Sequence, residues 1–197
     1  VKQNGKISIQ QIFPWAIASF KGDYLKIPLL KNQLGITSEE RITNSIQNLE
    51  YTLANSFNQL THPKSRKIAA LKGHGELDDK FIADFFSTLR DSYYIAPFTL
   101  DSLSNSPAKT LEQIKEFDLL IIARPTKKFT EKEKYLLDQY IMFGGSTLWL
   151  IDKVQFVNDS IGGNNFAFAR DLNLTDFFFR YGIRVNSNLV KDLYSAP

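Results

Sequence analysis

The sequence predicts an α/β protein in which a doubly wound parallel sheet follows an N-terminal β-hairpin and a long helix. Between Arg66 and Ile151, apolar runs typical of strands alternate with amphipathic runs typical of helices, in the order β-α-β-α-β-α-β. The run Asp118–Ala123 is almost continuously apolar, which is typical of a central parallel strand covered on both faces. Right-handed crossovers between such strands give a flavodoxin-like sheet. We expect two parts, 1–63 and 64–197.

The N-terminal part begins with a predicted hairpin. Phe13–Phe20 is an aromatic and aliphatic run, Lys21–Asp23 has the composition of a turn, and Tyr24–Leu30 resumes an extended pattern. The pattern carries no catalytic residue type in a recognisable arrangement.

A single long helix is predicted over Thr37–Leu60, roughly 33 Å in length at 1.5 Å per residue. Thr37 and Glu40 have the spacing of a capping box. Apolar residues then recur at steps of three and four, which indicates a core or interface face. We expect this stripe and one hairpin tryptophan to contact another subunit, through Ile42, Ile46, Leu49, Leu53, Phe57 and Trp15.

The second part contains the predicted sheet. Its strands are expected over Lys67–Leu71, Tyr93–Leu100, Asp118–Ala123 and Thr147–Ile151, and its helices over Asp78–Asp91, Pro107–Ile114 and Thr130–Met142. Thr130 and Glu133 form a second capping box, and Gly144-Gly145 ends the helix that they begin. Further along we expect a mobile loop over Asn158–Asn165, a short helix over Leu172–Tyr181, and a closing strand pair, Ile183–Val185 with Leu189–Leu193.

The composition excludes several classes of function. Cysteine is absent, so disulfides, thiolate catalysis and Cys-ligated metals are excluded. The net charge of +3 is small and dispersed, which argues against a nucleic-acid partner. No stretch approaches the ~20 apolar residues of a membrane-spanning helix. The two ends look like boundaries within a longer protein, so we expect any membrane anchors to lie outside them.

One loop invites a functional interpretation because it follows the first strand of the predicted sheet and precedes a helix. A dinucleotide fingerprint would need a third glycine where this chain has Asp78, and acids at the helix start would repel a phosphate. A tight strand-to-helix turn is the favoured interpretation. The alternative is a crevice for a small polar ligand, formed by Gly73, His74, Gly75, Glu76, Arg124 and Asp152.

His74 is a candidate general acid or base, and Asp152 is a possible partner at the same sheet edge. The sequence has no G-x-S-x-G elbow and no cysteine, so this pair would lack a nucleophile. His62 and His74 are not spaced as metal ligands. We therefore predict no catalytic residue, no metal and no cofactor.

Several stretches resemble a known family. They are Phe13–Asn32 with Gln33, Ser45–Tyr51, Lys67–Glu76, Phe129–Met142 leading into Gly144-Gly145, Leu148–Asp152, and Leu172–Val185. In order and spacing they resemble the gliding-motility-associated ABC transporter substrate-binding proteins of Bacteroidetes (the GldG family), within the broader family of uncharacterised ABC-type transport auxiliary proteins. The resemblance covers essentially the whole chain.

The resemblance implies a membrane-anchored subunit whose soluble part lies at the periplasmic face of the inner membrane. It implies a permease as partner and, through the permease, a cytoplasmic ATPase, in a homo- or hetero-oligomer. It also implies a core similar to glutamine-amidotransferase-like domains, without their cysteine. The leading hypothesis is a non-catalytic accessory subunit of a gliding-motility transporter that acts through protein contacts. The alternative is a small-molecule or saccharide-binding subunit, and an enzyme is the residual hypothesis.

Overall fold

A computed structural model describes residues 2–3, 6–7, 13–31, 35–101, 106–158 and 165–189. The chain forms two compact units, Val1–Lys64 and Ser65–Pro197, and each is considered by itself.

The first unit contains the predicted hairpin, which is confirmed. Short strands β1 (Lys2–Gln3) and β2 (Lys6–Ile7) pair with each other, and β3 (Trp15–Phe20) pairs antiparallel with β4 (Asp23–Pro28). Lys21 and Gly22 join β3 to β4 with φ values of 52° and 97°. A two-residue turn with positive φ at both positions matches the twist of the strands that it joins.

The predicted long helix is wrong at one point, because Asn48 divides it into α1 (Ser38–Gln47) and α2 (Leu49–Thr61). The backbone of Asn48 has φ −92° and ψ 1°, and its side-chain Nδ2 donates to the Asn44 carbonyl at 2.8 Å. Asparagine side chains compete in this way with regular helix hydrogen bonds. The capping box of Thr37 and Glu40 is confirmed.

The predicted apolar stripe lies mostly outside the buried part of this unit. Ile42, Ile46 and Phe57 are more than half exposed, Leu49 is exposed at 36%, and Leu53 is half-buried. α2 packs against β3 and β4. The buried helix positions are instead two small polar residues, Ser45 and Ser56, each of which donates to the carbonyl four residues earlier.

The second unit contains the predicted parallel sheet, which is confirmed. Its strands are β5 (Lys67–Lys72), β6 (Tyr94–Thr99), β7 (Leu119–Ala123) and β8 (Ser146–Leu150), in the spatial order β6-β5-β7-β8. The register aligns Ile68 with Ile95 on one side and with Leu119 on the other. This is the order expected of a flavodoxin-like sheet.

Helices lie on both faces of this sheet. They are α3 (Asp79–Arg90), α4 (Pro107–Ile114), α5 (Glu131–Met142) and α6 (Thr175–Arg180). One core joins α4, α5 and α6 to Leu71, Leu120 and Ile122. A smaller core joins α3 to Ile68 and Ile121. The Thr130–Glu133 capping box is confirmed, as is the left-handed stop at Gly144, where φ is 94°.

Two expectations near the C-terminus are corrected. Strands β9 (Val154–Asn158) and β10 (Asn165–Ala169) form an antiparallel hairpin that flanks the predicted loop, and residues 159–164 of that loop lie outside the described residues. Ile183–Val185 is irregular rather than a strand, although Val185 packs against the core. Its proposed partner strand lies outside the described residues beyond Leu189.

Candidate functional site

The candidate loop lies at the carboxyl edge of the sheet, where the connections after β5 and β7 leave in opposite directions. Open α/β sheets bind ligands at this point. Here the two connections are hydrogen-bonded to each other. The His74 carbonyl accepts from the backbone N–H groups of Thr126 and Lys127, at 2.8 and 2.9 Å, and the Leu77 N–H donates to the Ala123 carbonyl at 2.9 Å. These bonds join the two connections directly at this edge of the sheet.

Gly75 permits the close approach of these two connections. Its φ is 68°, and a Cβ atom at this position would lie 2.1 Å from Thr126 Oγ1. That hydroxyl donates to the Gly75 carbonyl at 3.0 Å, so it has a bond to lose if it moves. Both the backbone conformation and the space require glycine.

His74 is buried beneath this edge, with 7% of its surface exposed. Its ring stacks on Phe129, with centroids 4.0 Å apart and planes 3° from parallel. Nε2 lies 3.1 Å from Glu133 Oε1. Since an ionised carboxylate only accepts hydrogen bonds, Nε2 is the donor of this pair.

Glu133 therefore has two functions. Its Oε2 accepts from the Thr130 backbone N–H at 2.7 Å and completes the cap of α5, while its Oε1 contacts His74. The sequence identified Glu133 as a capping residue but missed the contact with His74, which is 59 residues away in the chain. The S/T-x-x-E spacing signals only the cap.

A second carboxylate faces the other side of the ring. His74 Nδ1 and Glu76 Oε1 are 3.7 Å apart, and both are buried without a hydrogen-bond partner. The other oxygen of Glu76 accepts from the His74 backbone N–H at 2.9 Å. The imidazole thus lies between two carboxylates in a site that is buried rather than open to a substrate.

Arg124 and Asp152 form a separate, more exposed pair. Arg124 Nε lies 3.3 Å from Asp152 Oδ2, and Arg124 has a φ of 53°. Arg170, which the sequence did not identify, donates from Nη1 to the Asp152 carbonyl at 3.2 Å. His74 and Asp152, which the sequence allowed as a pair, instead make these separate contacts. The ligand-binding role of the six predicted residues stays a prediction.

A buried lysine links α5 to α6. Lys134 Nζ lies 2.7 Å from Glu131 and 2.9 Å from Asp176. Burial opposes the charge of Lys134, but its hydrogen bonds to Glu131 and Asp176 outweigh burial and raise the pKa of the lysine. The hydrogen bond from Lys134 likewise lowers the pKa of Asp176.

An apolar cavity of about 520 Å³ lies between the N-terminal halves of α4 and α5. Pro107, Leu111, Tyr135 and Leu136 line it, together with Glu131 and Lys132. The sequence predicted both helices but not the space between them, because a periodic pattern does not define how two helices are separated.

Within the described ranges, no three or more His, Cys, Asp or Glu side chains are placed together to hold a metal ion. None of the helices in these ranges combines the length and apolar character needed to cross a membrane.

The parallel four-stranded sheet with helices on both faces defines a flavodoxin-like α/β domain. Residues 65–197 match the family described as ABC-type uncharacterized transport system. Because this match covers more than half of the sequence, the chain belongs to that family of transport-system auxiliary proteins.

A solved structure described as the mmIFT52 N-terminal domain is 23% identical to this chain, with a TM-score of 0.47. The match covers 66% of this chain and 52% of the other, so the chain spans about half the length of that structure. No curated protein is significantly similar to the chain.

Proposed function

We propose that this chain is a non-catalytic accessory subunit of an ABC-type transporter used in gliding motility, and that it acts through protein contacts at the periplasmic face of the inner membrane. Its partners are a permease and, through the permease, a cytoplasmic ATPase. Membership of an auxiliary transport-system family is the observation that carries this proposal. The motility assignment and the location rest on the resemblance of the quoted motifs to the gliding-motility family.

The surface of the first unit supports a role in contacts. On the hairpin, Ile17 and Tyr24 are 77% and 78% exposed, and Trp15 is 45% exposed. On the helices, Ile46 is 67% exposed. Large apolar surfaces of this kind mark interaction sites in soluble domains. We assign the predicted stripe and Trp15 to the contact with the permease.

The carboxyl edge of the sheet supports the non-catalytic part of the proposal. His74 is packed between Phe129, Glu76 and Glu133, and its carbonyl accepts from the backbone N–H groups of Thr126 and Lys127. A catalytic imidazole must reach its substrate within hydrogen-bonding distance. The burial of this ring favours a structural role.

The experiment is affinity purification of the full-length protein from membranes. Ile46→Glu places a charge on the apolar stripe, and Gln47→Glu places the same charge beside it as a matched control. We expect Ile46→Glu to lose the permease and ATPase from the purified complex while Gln47→Glu retains both. Circular dichroism checks that both variants are folded. Normal recovery of the complex with Ile46→Glu would contradict the proposal.

A ligand-binding role gives a different result in the same system. His74→Ala and Asp152→Asn should leave the complex and motility intact if contacts carry the function. A ligand present at 100 times its Kd would add about 2.7 kcal/mol to the stability of the protein. Thermal stabilisation by a sugar, peptide or nucleotide, lost in Asp152→Asn, would favour the ligand-binding alternative.

A further inference from the structure

The imidazole of His74 has a hydrogen-bond partner on one side only, although a carboxylate lies on each side. Nε2 donates to Glu133 Oε1 at 3.1 Å. On the other side, Nδ1 and Glu76 Oε1 face each other at 3.7 Å, and both atoms are buried without a partner. The side chains of Glu76 and Glu133 are only 3% and 16% exposed. Buried polar atoms of folded proteins are nearly always paired, so the contact of Nδ1 with Glu76 needs an explanation.

A neutral imidazole cannot satisfy both of its carboxylate neighbours. A neutral ring carries one hydrogen, and the contact with Glu133 places that hydrogen on Nε2. Nδ1 is then an acceptor, and an ionised Glu76 oxygen is an acceptor as well, so nothing lies between them to be shared. One additional proton at this contact makes it a charge-assisted hydrogen bond, which is the stronger kind.

The charges around the ring favour this additional proton. Within the described part of the chain, neither of the two carboxylates pairs with a lysine or an arginine. Lys72, at the end of β5, pairs with Asp79 instead. Lys127, on the connection after β7, contacts the histidine through its backbone N–H, and its side chain is exposed. Asp101, which follows β6, brings a further carboxylate beside Gly73. The imidazole is therefore the group that can offset the negative charge of its two neighbours.

The additional proton belongs on the ring rather than on the carboxylate. Imidazole is a stronger base than a carboxylate in water. The ring also stacks on Phe129 at 4.0 Å, and the face of an aromatic ring attracts a cation. Burial disfavours any ion, but with the proton the three groups carry one net negative charge instead of two. We propose that His74 is an imidazolium ion that joins Glu76 to Glu133, and that this buried proton makes the carboxyl edge of the sheet sensitive to pH.

The proton connects two segments of the fold. Glu76 lies on the connection after β5, and Glu133 caps α5 by accepting from the Thr130 backbone N–H. When the pH rises and the proton leaves to solvent, Nδ1 and the Glu76 oxygen no longer attract each other, and the connection loosens from α5. The stabilisation is complete below about pH 6.5, where an unfolded histidine is protonated too, and is lost as the pH rises above that value.

The first test is nitrogen-15 NMR of the imidazole rings in the whole wild-type chain. The sequence contains two histidines, and the exposed His62 is the internal control. At about pH 7.5 an ordinary histidine has lost its second proton. We expect His74 to be protonated at both Nδ1 and Nε2 at this pH, and His62 at one nitrogen only. A His74 ring that is unprotonated at Nδ1 would overturn the proposal, and this measurement needs no variant to fold.

The second test replaces the proton with a fixed hydrogen. In Glu76→Gln, the amide nitrogen donates to a neutral Nδ1 while the amide oxygen accepts from the His74 backbone N–H. Urea unfolding, followed through the NMR signals of the β7 amides, gives the folding equilibrium constant. We expect the ratio of wild type to Glu76→Gln to fall by up to about tenfold per pH unit above about pH 6.5. His62→Gln should keep the wild-type pH dependence. A ratio for Glu76→Gln that is constant with pH would overturn the proposal.

Discussion

The two units differ in where their apolar side chains lie. In residues 65–197 the described structure buries two clusters on opposite faces of one sheet, including Leu120, Ile122 and Leu137 at 0% exposure. In the described part of residues 1–64, Ile27 is the single buried hydrophobic residue. Burial of apolar area is the main favourable term in folding. The first unit therefore leaves most of its large apolar side chains exposed, whereas the second buries two clusters of its own.

The largest expected difference in stability between the units comes from shortening one aliphatic side chain in each. Leu137→Ala leaves a cavity in a fully buried site and should cost about 2–5 kcal/mol. Ile46→Ala, at a position 67% exposed, should cost less than about 1 kcal/mol. Urea unfolding measures both. A cost for Ile46→Ala as large as that for Leu137→Ala would mean that the first unit has a closed core of its own.

Two glycines with positive φ give the next comparison. Gly75→Ala adds backbone strain and a clash with Thr126, and we expect a loss of about 2–4 kcal/mol. Gly22→Ala, at a φ of 97° with open space around it, incurs only the backbone term of about 1–2 kcal/mol. Similar costs at the two positions would show that the connections after β5 and β7 are not tightly packed.

The two capping boxes allow a smaller, matched test. Glu40→Ala removes only the exposed Glu side of the capping box of α1 and should lower stability slightly. Glu133→Ala removes a cap and the hydrogen bond to buried His74, for about 2 kcal/mol in total. Thermal unfolding of both variants measures the difference. Equal losses would remove the structural role assigned to His74.

The smallest expected effect is the change with pH in the contribution of Asp176 to stability. Because the pKa of Asp176 is lowered in the folded state, its contribution to stability is present above its ordinary value of 3.8 and is lost as pH falls through the lowered value. Wild type should therefore exceed Asp176→Asn in stability at pH 7, and the two should converge in acid. A difference that is constant across pH would show that the Lys134 contact contributes nothing through charge.

Much of the fold follows from local sequence patterns. The Asp118–Ala123 run, both capping boxes and the glycine after α5 predicted elements that the structure confirms, because each signal lies within a few neighbouring residues. The break at Asn48 was missed because the apolar stripe continues through it and conceals a local side-chain hydrogen bond.

The candidate site was less predictable because several of its contacts join residues that are far apart in the sequence. The loop of Gly73 to Glu76 was identified from its place after a strand, but two of the three side chains around His74, Glu133 and Phe129, lie more than fifty residues away. The exposure of Leu148 and Leu150 was also missed. Whether these leucines are covered depends on which face each helix takes, and strand patterns do not specify that.

Hydrogen exchange on the chain alone and within the purified transport complex tests the contrast between the units most directly. We predict that the amides of β5, β7 and α5 are strongly protected in both samples. Those of β3, β4 and α2 should exchange rapidly in the isolated chain and become protected only in the complex. A hairpin that is as protected as β7 in the isolated chain would contradict the account.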